Sequence, residues 1–306
     1  MGNQNDPISF LRQRFSEGTL HHGLILHGHD LSGVVEEACS LSRLILDLEE
    51  DRFLHPDLFH LRPEGKSRII PVEKTRNLIG ELNRTSNQGG AKVAIIHEID
   101  RMKKASANAF LKTLEEPPAD TFLILLTTRL YSILPTIRSR CMQVRITREK
   151  KIESNENWLA WTQRYESWIL NLMDREAVKK DRTTPVFSAY GLAAQLLKMI
   201  TEESTERTRE ALAEQSLEME DKEKDALEAG IRRGTRTQIL RKLVETTRDL
   251  SIKSSSNNES LSRNGEKLAR VLKNLEDKIR LMEVNLRDEV ALEDFYLSSL
   301  RIWSSK

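Results

Sequence analysis

Short apolar runs alternate with helix-like segments through the first half of the chain. Continuous apolar runs predict buried strands, and apolar residues spaced three and four apart predict helices with one apolar face. Such an alternation favours a parallel sheet with helices on both faces. The predicted strands are residues 23–28, 92–96, 121–126 and 142–146, and residues 105–116 are predicted to form a helix. Two further helices are predicted, one with an apolar face of Val34, Ala38, Leu41, Ile45 and Leu48 and one with an apolar face of Val72, Ile79 and Leu82.

After residue 147 the apolar spacing is helical throughout, so an all-α part is predicted to follow the α/β part. Trp158, Trp161 and Trp168 share one helical face, a spacing more typical of a buried core than of a platform for stacking nucleic-acid bases. Residues 201–229 mix Glu, Lys and Arg with few apolar positions, which favours a solvated helical hairpin.

The composition excludes several classes of protein. The 306 residues include only two cysteines, Cys39 and Cys141, which are too few for a disulfide framework. The sequence has neither an apolar run of membrane length nor a signal-peptide core, so we expect a cytoplasmic protein without a membrane partner. The formal net charge of +1 supplies no overall basic field, which argues against a module that binds DNA alone.

The first predicted strand leads into two glycines, Gly28 and Gly33, at the start of a helix. A phosphate-binding P-loop has this glycine spacing, followed by a lysine that neutralises phosphate and a hydroxyl that binds magnesium. Val34 and Val35 occupy those two positions here. Because glycines also serve purely structural turns, the pattern predicts the turn of a P-loop without its chemistry.

The end of the second predicted strand lacks the magnesium ligand of an active ATPase. Such an enzyme carries Asp-Glu at this place, whereas this chain has His97 followed by Glu98. Imidazole is a poor magnesium ligand, and phosphoryl transfer loses most of its stabilisation without the lysine and the metal carboxylate. We predict no ATP hydrolysis by the chain and no cofactor. The alternative is an ATPase that keeps residual nucleotide binding.

A short helix that begins at a proline, in residues 134–141, contains two arginines, Arg138 and Arg140. The sequence leaves two interpretations of them open. They are ordinary surface residues, or one of them is presented at a domain edge to a phosphate held by a neighbouring molecule.

Four segments, residues 55–58, 90–102, 107–118 and 134–141, carry a resemblance to a known family. Residues 20–146 resemble the AAA+ module of bacterial replicative clamp loaders, a P-loop NTPase-like fold, and most closely its delta-prime branch. Residues 275–300 resemble the closing helices of that family's collar. The resemblance implies an AAA+ domain at 1–147, a helical lid, reduced in size, at 148–185 and a helical collar for oligomerisation at 186–306.

The resemblance also implies roles for individual residues. Arg140, between Ser139 and Cys141 in the family's Ser-Arg-Cys motif, is implied to be an arginine finger acting on ATP held by an adjacent subunit. The implied function is that of a non-catalytic subunit of the DNA polymerase III clamp loader. Its partners would be the gamma/tau and delta subunits, the sliding clamp and primed DNA. The positions that correspond to the family's nucleotide site are Gly28, Gly33, Glu98 and Thr128.

Metal binding is predicted to be absent. Many family members carry a four-cysteine zinc module before the segment at 55–58, but residues 47–54 contain no cysteine. The histidines at positions 21, 22, 27 and 29 could form a metal site. The stronger interpretation is that they are ordinary polar residues. We expect Cys39 to lie in the core, and Cys141 to be a packing residue rather than a nucleophile.

Overall fold

The computed structural model describes residues 7–48, 55–88, 90–147, 156–215, 219–253, 258–283 and 286–305. The chain forms two compact units. The first contains the residues up to 151 together with residues 208–234, and the second contains residues 152–207 and 235–306.

A five-stranded parallel sheet forms the centre of the first unit, in the order β2-β3-β4-β1-β5. His27 pairs with Thr127, and Ile96 pairs with Leu125, so the carboxyl ends of three central strands lie at one edge. Ligands of parallel sheets bind beyond this edge. The strands are β1 (Gly23–His27), β2 (Leu58–Leu61), β3 (Lys92–Ile96), β4 (Thr121–Thr127) and β5 (Met142–Arg145).

Helices cover both faces of the sheet, which explains why each of its central strands contains a run of buried apolar residues. In β1, Ile25 lies in one hydrophobic core with Leu78 and Phe110, whereas Leu24 and Leu26 lie in the core on the opposite face. These observations confirm the predicted α/β fold class. The helices of this part of the chain are α1 (Pro7–Ser16), α2 (Leu31–Ile45), α3 (Val72–Leu82), α4 (Lys104–Glu115) and α5 (Pro135–Arg138).

Two local predictions are wrong. Strand β2 was not predicted, because it has only four residues and His60 interrupts its apolar character. The buried face of α3 contains Thr75, Leu78 and Leu82, and the predicted Val72 and Ile79 lie half-buried beside it. Burial of Thr75 is possible because its hydroxyl donates a hydrogen bond to the carbonyl of Pro71 at 2.9 Å.

The two longest helices, α8 (Thr184–Gln215) and α9 (Asp221–Lys253), follow α6 (Glu156–Met173) and α7 (Arg175–Lys180). We call residues 208–234, the end of α8 and the beginning of α9, the hairpin. The hairpin belongs to the first unit, and Met219, Glu223 and Ala226 are buried. The predicted helical hairpin is therefore present, but one side of it is packed rather than solvated.

The second unit is entirely helical in its described residues and has one hydrophobic core. Trp158, Trp161 and Tyr165 stack in series with ring centroids 5.1 and 5.0 Å apart, so the interpretation of the tryptophans as core residues is confirmed. The core joins α6 to the closing helices α10 (Asn258–Glu283) and α11 (Asp288–Ser304). The division into a lid at 148–185 and a collar at 186–306 stays a prediction. Within the described ranges, no helix combines the length and the apolar character that a bilayer span requires.

Candidate functional site

The turn after β1, which the sequence predicts to be a P-loop turn without its chemistry, has an apolar interior. A Cβ atom at Gly28 would lie 2.8 Å from the carbonyl oxygen of Ile146 and 3.0 Å from Cγ2 of Val34, so only glycine fits. Val34 is fully buried and packs in the same core as Ala38, and Gly33 lies in the first turn of α2. The position that carries lysine in an active P-loop is thus part of the hydrophobic core.

An acidic side chain begins the helix that would face a phosphate. Asp30 is the N-cap of α2, is buried, and accepts a hydrogen bond from the backbone N–H of Ser32 at 3.3 Å. A carboxylate is stabilised there by the positive end of the helix dipole, as a bound phosphate would be. Asp30 therefore supplies internally the negative charge that nucleotide brings to an active site, and it repels a second anion.

His97, at the position predicted for the carboxylate that binds magnesium, is in contact with another histidine. His97 lies 3.1 Å from His60, measured from Nε2 to Nδ1, and the two rings are tilted at a centroid distance of 5.3 Å. Burial, followed by the nearby charge of Arg62, lowers the pKa of His60 to about 3 and lowers the pKa of His97 well below its usual value. Both rings are neutral at physiological pH, and one donates to the other.

Glu98 lies at the position predicted for a catalytic glutamate, but it forms an ion pair with an arginine. Arg68 donates a hydrogen bond to Glu98 within an ion pair of which both members are buried. Burial, followed by the neighbouring Arg101 and Arg233, lowers the pKa of Arg68 to about 9, so the guanidinium stays cationic at neutral pH. The carboxylate that would orient an attacking water is therefore neutralised from within the chain.

Thr127 and Thr128 differ in their surroundings at the carboxyl end of β4. The Thr127 hydroxyl donates to Oδ1 of Asp100 at 2.7 Å and accepts from the backbone N–H of Arg129 at 2.8 Å. Thr128, the residue predicted for the nucleotide site, is exposed. Gly28, Glu98 and Thr128 come just after the ends of β1, β3 and β4, so they lie at the same edge of the sheet.

The Ser-Arg-Cys motif lies at the end of α5 and is tied to α4. Arg140 Nε donates to Oε1 of Glu115 at 2.6 Å, and Nη1 donates to the carbonyl of Thr136 at 2.8 Å. Ser139 is exposed, and its hydroxyl accepts a longer bond from Arg140 Nη1 at 3.4 Å. Burial raises the pKa of the Cys141 thiol to about 12, which suits a packing residue and not a nucleophile.

Asp57 organises the loop that precedes β3. Its carboxylate is buried and accepts from the Ser86 hydroxyl at 3.0 Å, the Asn87 backbone N–H at 2.8 Å and the Gln88 backbone N–H at 3.2 Å. Burial alone would raise the pKa of Asp57, but the hydrogen bonds from Asn87, Ser86 and Gln88 outweigh it and lower the pKa. The segment at 55–58 thus fixes a turn 30 residues away.

The four N-terminal histidines make contacts of the kind expected for polar residues. His22 Nε2 lies 2.9 Å from the carbonyl of Leu114, and His21 Nδ1 lies 2.8 Å from that of Gly23. Among the described residues, no three His, Cys, Asp or Glu side chains form a cluster that could hold a metal ion. Residues 49–54, most of the segment from which the zinc module is missing, lie outside the described residues.

Comparison with known proteins finds relatives of the first half of the chain. Residues 3–150 match the family model described as "DNA polymerase III, delta subunit". The DNA polymerase III subunit delta' of Pseudomonas aeruginosa is 44% identical over 89 residues, which cover 29% of this chain and 27% of that protein. The protein of the same name from Yersinia pestis is 38% identical over 154 residues, which cover 45% of this chain and 45% of that protein. Residues 3–150 are therefore similar to the delta-prime subunits of DNA polymerase III.

The matches cover only part of this chain and part of its relatives. The chain aligns with about a quarter to a half of the length of these curated delta-prime relatives. A DNA polymerase III subunit tau from Salmonella typhimurium is 29% identical over 157 residues, 46% of this chain and 24% of that protein. A gamma subunit-related protein from Thermotoga maritima superposes with a TM-score of 0.48 at 19% identity, covering 97% of this chain and 100% of that chain; this likeness is too loose to carry an argument.

Four residues of this site were not predicted from the sequence: Asp30, His60, Arg68 and Glu115. Asp30 carries a local signal, because Asp before a helix is a preferred N-cap. Glu115 lies inside the family-specific segment at 107–118. His60 and Arg68 carry none, because their partners lie 37 and 30 residues away along the chain.

Proposed function

We propose that the chain is a non-catalytic, delta-prime-type subunit of a DNA polymerase III clamp loader, which supports ATP-dependent loading of the sliding clamp on primed DNA. One observation carries the proposal: each position that would act on ATP is engaged in other contacts. Val34 lies in the core, His97 pairs with His60, and Glu98 pairs with Arg68. A site of this kind has neither the positioning nor the charge that phosphoryl transfer requires.

The proposed partners are gamma/tau and delta subunits in a hetero-oligomer. This part of the proposal is supported by the delta-prime and tau relatives, whose names describe them as subunits of DNA polymerase III. The lid at 148–185 and the collar at 186–306 belong to the proposal, with the collar as the part that assembles. Contacts with the clamp and with primed DNA would be made through the complex.

Arg140 is proposed as an arginine finger in trans. Its side chain is partly exposed, at 34%, and its guanidinium is already oriented by Glu115 and by the Thr136 carbonyl. A planar guanidinium offers a fork of donors to charge that builds up on a γ-phosphate. Ser139 and Cys141 are proposed as neighbours that shape the motif rather than as reacting groups.

Reconstitution tests the proposal. The purified chain is mixed with gamma/tau and delta subunits, and assembly is followed by size-exclusion chromatography with light scattering. We expect a stable hetero-oligomer, loading of the clamp on primed DNA only when the chain is present, and no ATP turnover by the chain alone. Failure of the chain to assemble, or equal loading without it, would contradict the proposal.

Two measurements separate the alternatives. Micromolar binding of ATP by the isolated chain in calorimetry would favour a gamma/tau-like ATPase, against which Val34 and His97 argue. Tight and steeply salt-dependent binding of primed DNA by the isolated chain would favour a module that acts on DNA alone. The net charge of +1 argues against the second alternative.

A further inference from the structure

The hairpin is joined to the AAA+ part by a cluster of charged and backbone contacts. Lys74 at the start of α3 lies 3.0 Å from the carboxylates of both Glu220 and Glu223, and 2.8 Å from that of Glu64. The backbone N–H of Gly65 donates to the carbonyl of Lys222 at 2.7 Å. Burial alone would lower the pKa of Lys74, but the three carboxylates outweigh it and raise the pKa. Residues more than 140 positions apart are thus held together.

A second contact places the hairpin directly against the arginine that holds Glu98. A Cβ atom at Gly230 would lie 3.1 Å from Nη2 of Arg68 and 3.3 Å from its Cζ. These contacts would be unusually tight, so a larger side chain at position 230 would have to displace the guanidinium or α9. Arg68 therefore lies against both Gly230 and Glu98.

The Arg68–Glu98 pair has a backbone that needs support from its surroundings. Arg68 has a φ of 54° and Glu98 a φ of 49°, both in the left-handed region that residues other than glycine seldom adopt. Strained conformations of this kind persist only where neighbouring structure fixes them. Nε and Nη1 of Arg68 are also buried without a hydrogen-bond partner among the described residues, so the ion pair does not satisfy the guanidinium by itself.

We propose that the hairpin is an internal clasp that holds Arg68 on Glu98, and so keeps the carboxyl edge of the sheet in one closed arrangement without nucleotide. The clasp has two attachment points. Lys74 with Glu220 and Glu223 fixes the turn of the hairpin, and Gly230 fits over the guanidinium. In this arrangement the chain's own helices take the place of a bound phosphate as the element that orders the edge. The proposal goes beyond the assignment as a clamp-loader subunit and does not depend on it.

Amide hydrogen exchange on the full-length chain tests the clasp, with Gly230→Leu as the variant and Gly234→Leu as its matched control. Both glycines lie in α9, but a Cβ atom at Gly234 would have no neighbour within 4 Å. Leucine raises helix propensity equally at both positions. We expect amides in segments 64–70 and 95–102 to exchange at least tenfold faster in Gly230→Leu, and within twofold of wild type in Gly234→Leu.

Two further variants keep the test decisive if Gly230→Leu folds poorly. Lys74→Met removes the other attachment without adding bulk at Arg68, and we expect it to speed exchange in the hairpin, at residues 219–230, and at 64–70. In an Arg68→Met background, Gly230→Leu should no longer change exchange at 95–102, because the residue through which it acts is gone. Unchanged exchange at 95–102 in Gly230→Leu, or equal effects of the two glycine variants, would overturn the proposal.

Discussion

Arg140 Nε donates a hydrogen bond to Oε1 of Glu115 at 2.6 Å, which orients the guanidinium of the Ser-Arg-Cys motif from within its own chain. The side chains of Arg140 and Glu115 are 34% and 48% exposed. A pair this exposed contributes only about 0–1 kcal/mol to stability. Exchange of Glu115 for a phosphate on a neighbouring subunit would therefore cost this chain little, and the pair is compatible with a finger that is held ready.

The first prediction is that Arg140→Ala leaves the chain folded and able to assemble, but slows ATP hydrolysis in the reconstituted complex. Arginine fingers in other phosphoryl-transfer systems contribute about 10³–10⁵ in rate at their own site. The complex as a whole should lose less, because only one ATP site would face this subunit. The melting temperature, the assembly state and the DNA-stimulated ATPase rate are measured on the same preparation.

Two variants control for the loss of charge and for general damage near α5. Arg140→Lys should rescue poorly, because an ammonium group lacks the planar fork of donors. Arg138→Ala should matter less; the Arg138 guanidinium lies 5.5 Å from the ring centroid of Tyr131 in its own chain. If Arg140 instead braces its own domain, Arg140→Ala will lower the melting temperature and impair assembly. An assembled complex with unchanged ATPase would rule out the finger.

The second prediction is that Asp57→Asn destabilises the first unit by about 1.5–3 kcal/mol, the range for hydrogen bonds to a charged group. The Asp57 carboxylate accepts from Ser86, Asn87 and Gln88, and an amide nitrogen would face some of these donors. Urea unfolding measures the change. Asp120→Asn, at an exposed residue with a φ of 51° that Asn tolerates, should stay within about 0.5 kcal/mol. Equal changes in the two variants would contradict the role given to Asp57.

The sequence predicts the sheet well where burial is two-sided and poorly where a strand carries polar residues. β1, β3 and β4 each contain a run of buried apolar residues because helices cover both faces, whereas β2 has only four residues, includes His60 and escaped prediction. The loss of the ATPase residues was visible at Val34 and His97. The contacts that these positions make instead could not be predicted, because the residues involved come together only in the folded chain.

The hairpin illustrates the same limit over a longer range. Its charged composition predicts a solvated helical hairpin. Its attachment to Lys74 joins residues 149 positions apart, and no local pattern encodes such a contact. Gly230 in α9 looks like an ordinary helix glycine until Arg68 is seen against it.

The third prediction is that Val34→Lys fails to restore nucleotide binding and destabilises the chain by about 3 kcal/mol or more, the cost of an uncompensated buried charge. Val34 is fully buried in a hydrophobic core, and the place that a phosphate would take at the start of α2 holds the Asp30 carboxylate. Calorimetry with ATP and a thermal melt report the two effects. Val35→Lys, at the half-buried next position, should be tolerated within about 1 kcal/mol. Micromolar ATP binding by Val34→Lys would show that the loop needs only its lysine.

The fourth prediction concerns the dependence of stability on pH, and it follows from the contact between His60 and His97. Burial lowers the pKa of His60 to about 3 and lowers that of His97 well below its usual value, whereas both titrate near 6.5 in the unfolded chain. Below pH 6.5 the unfolded state therefore binds protons that the folded state does not. The contribution of the pair is fully present above pH 6.5 and is lost as the pH falls.

We expect the free energy of unfolding to fall by about 1.4 kcal/mol per pH unit for each of these histidines as the pH drops from 6.5 towards 5. Urea titrations at half-unit intervals between pH 8 and pH 5 measure the slope. The double variant His60→Phe with His97→Leu should flatten it, since neither side chain can then bind a proton in the unfolded state. A wild-type slope that persists in the double variant would assign the acid sensitivity to other groups, such as His27, whose pKa is lowered by burial, followed by the nearby charges of Arg145 and His29.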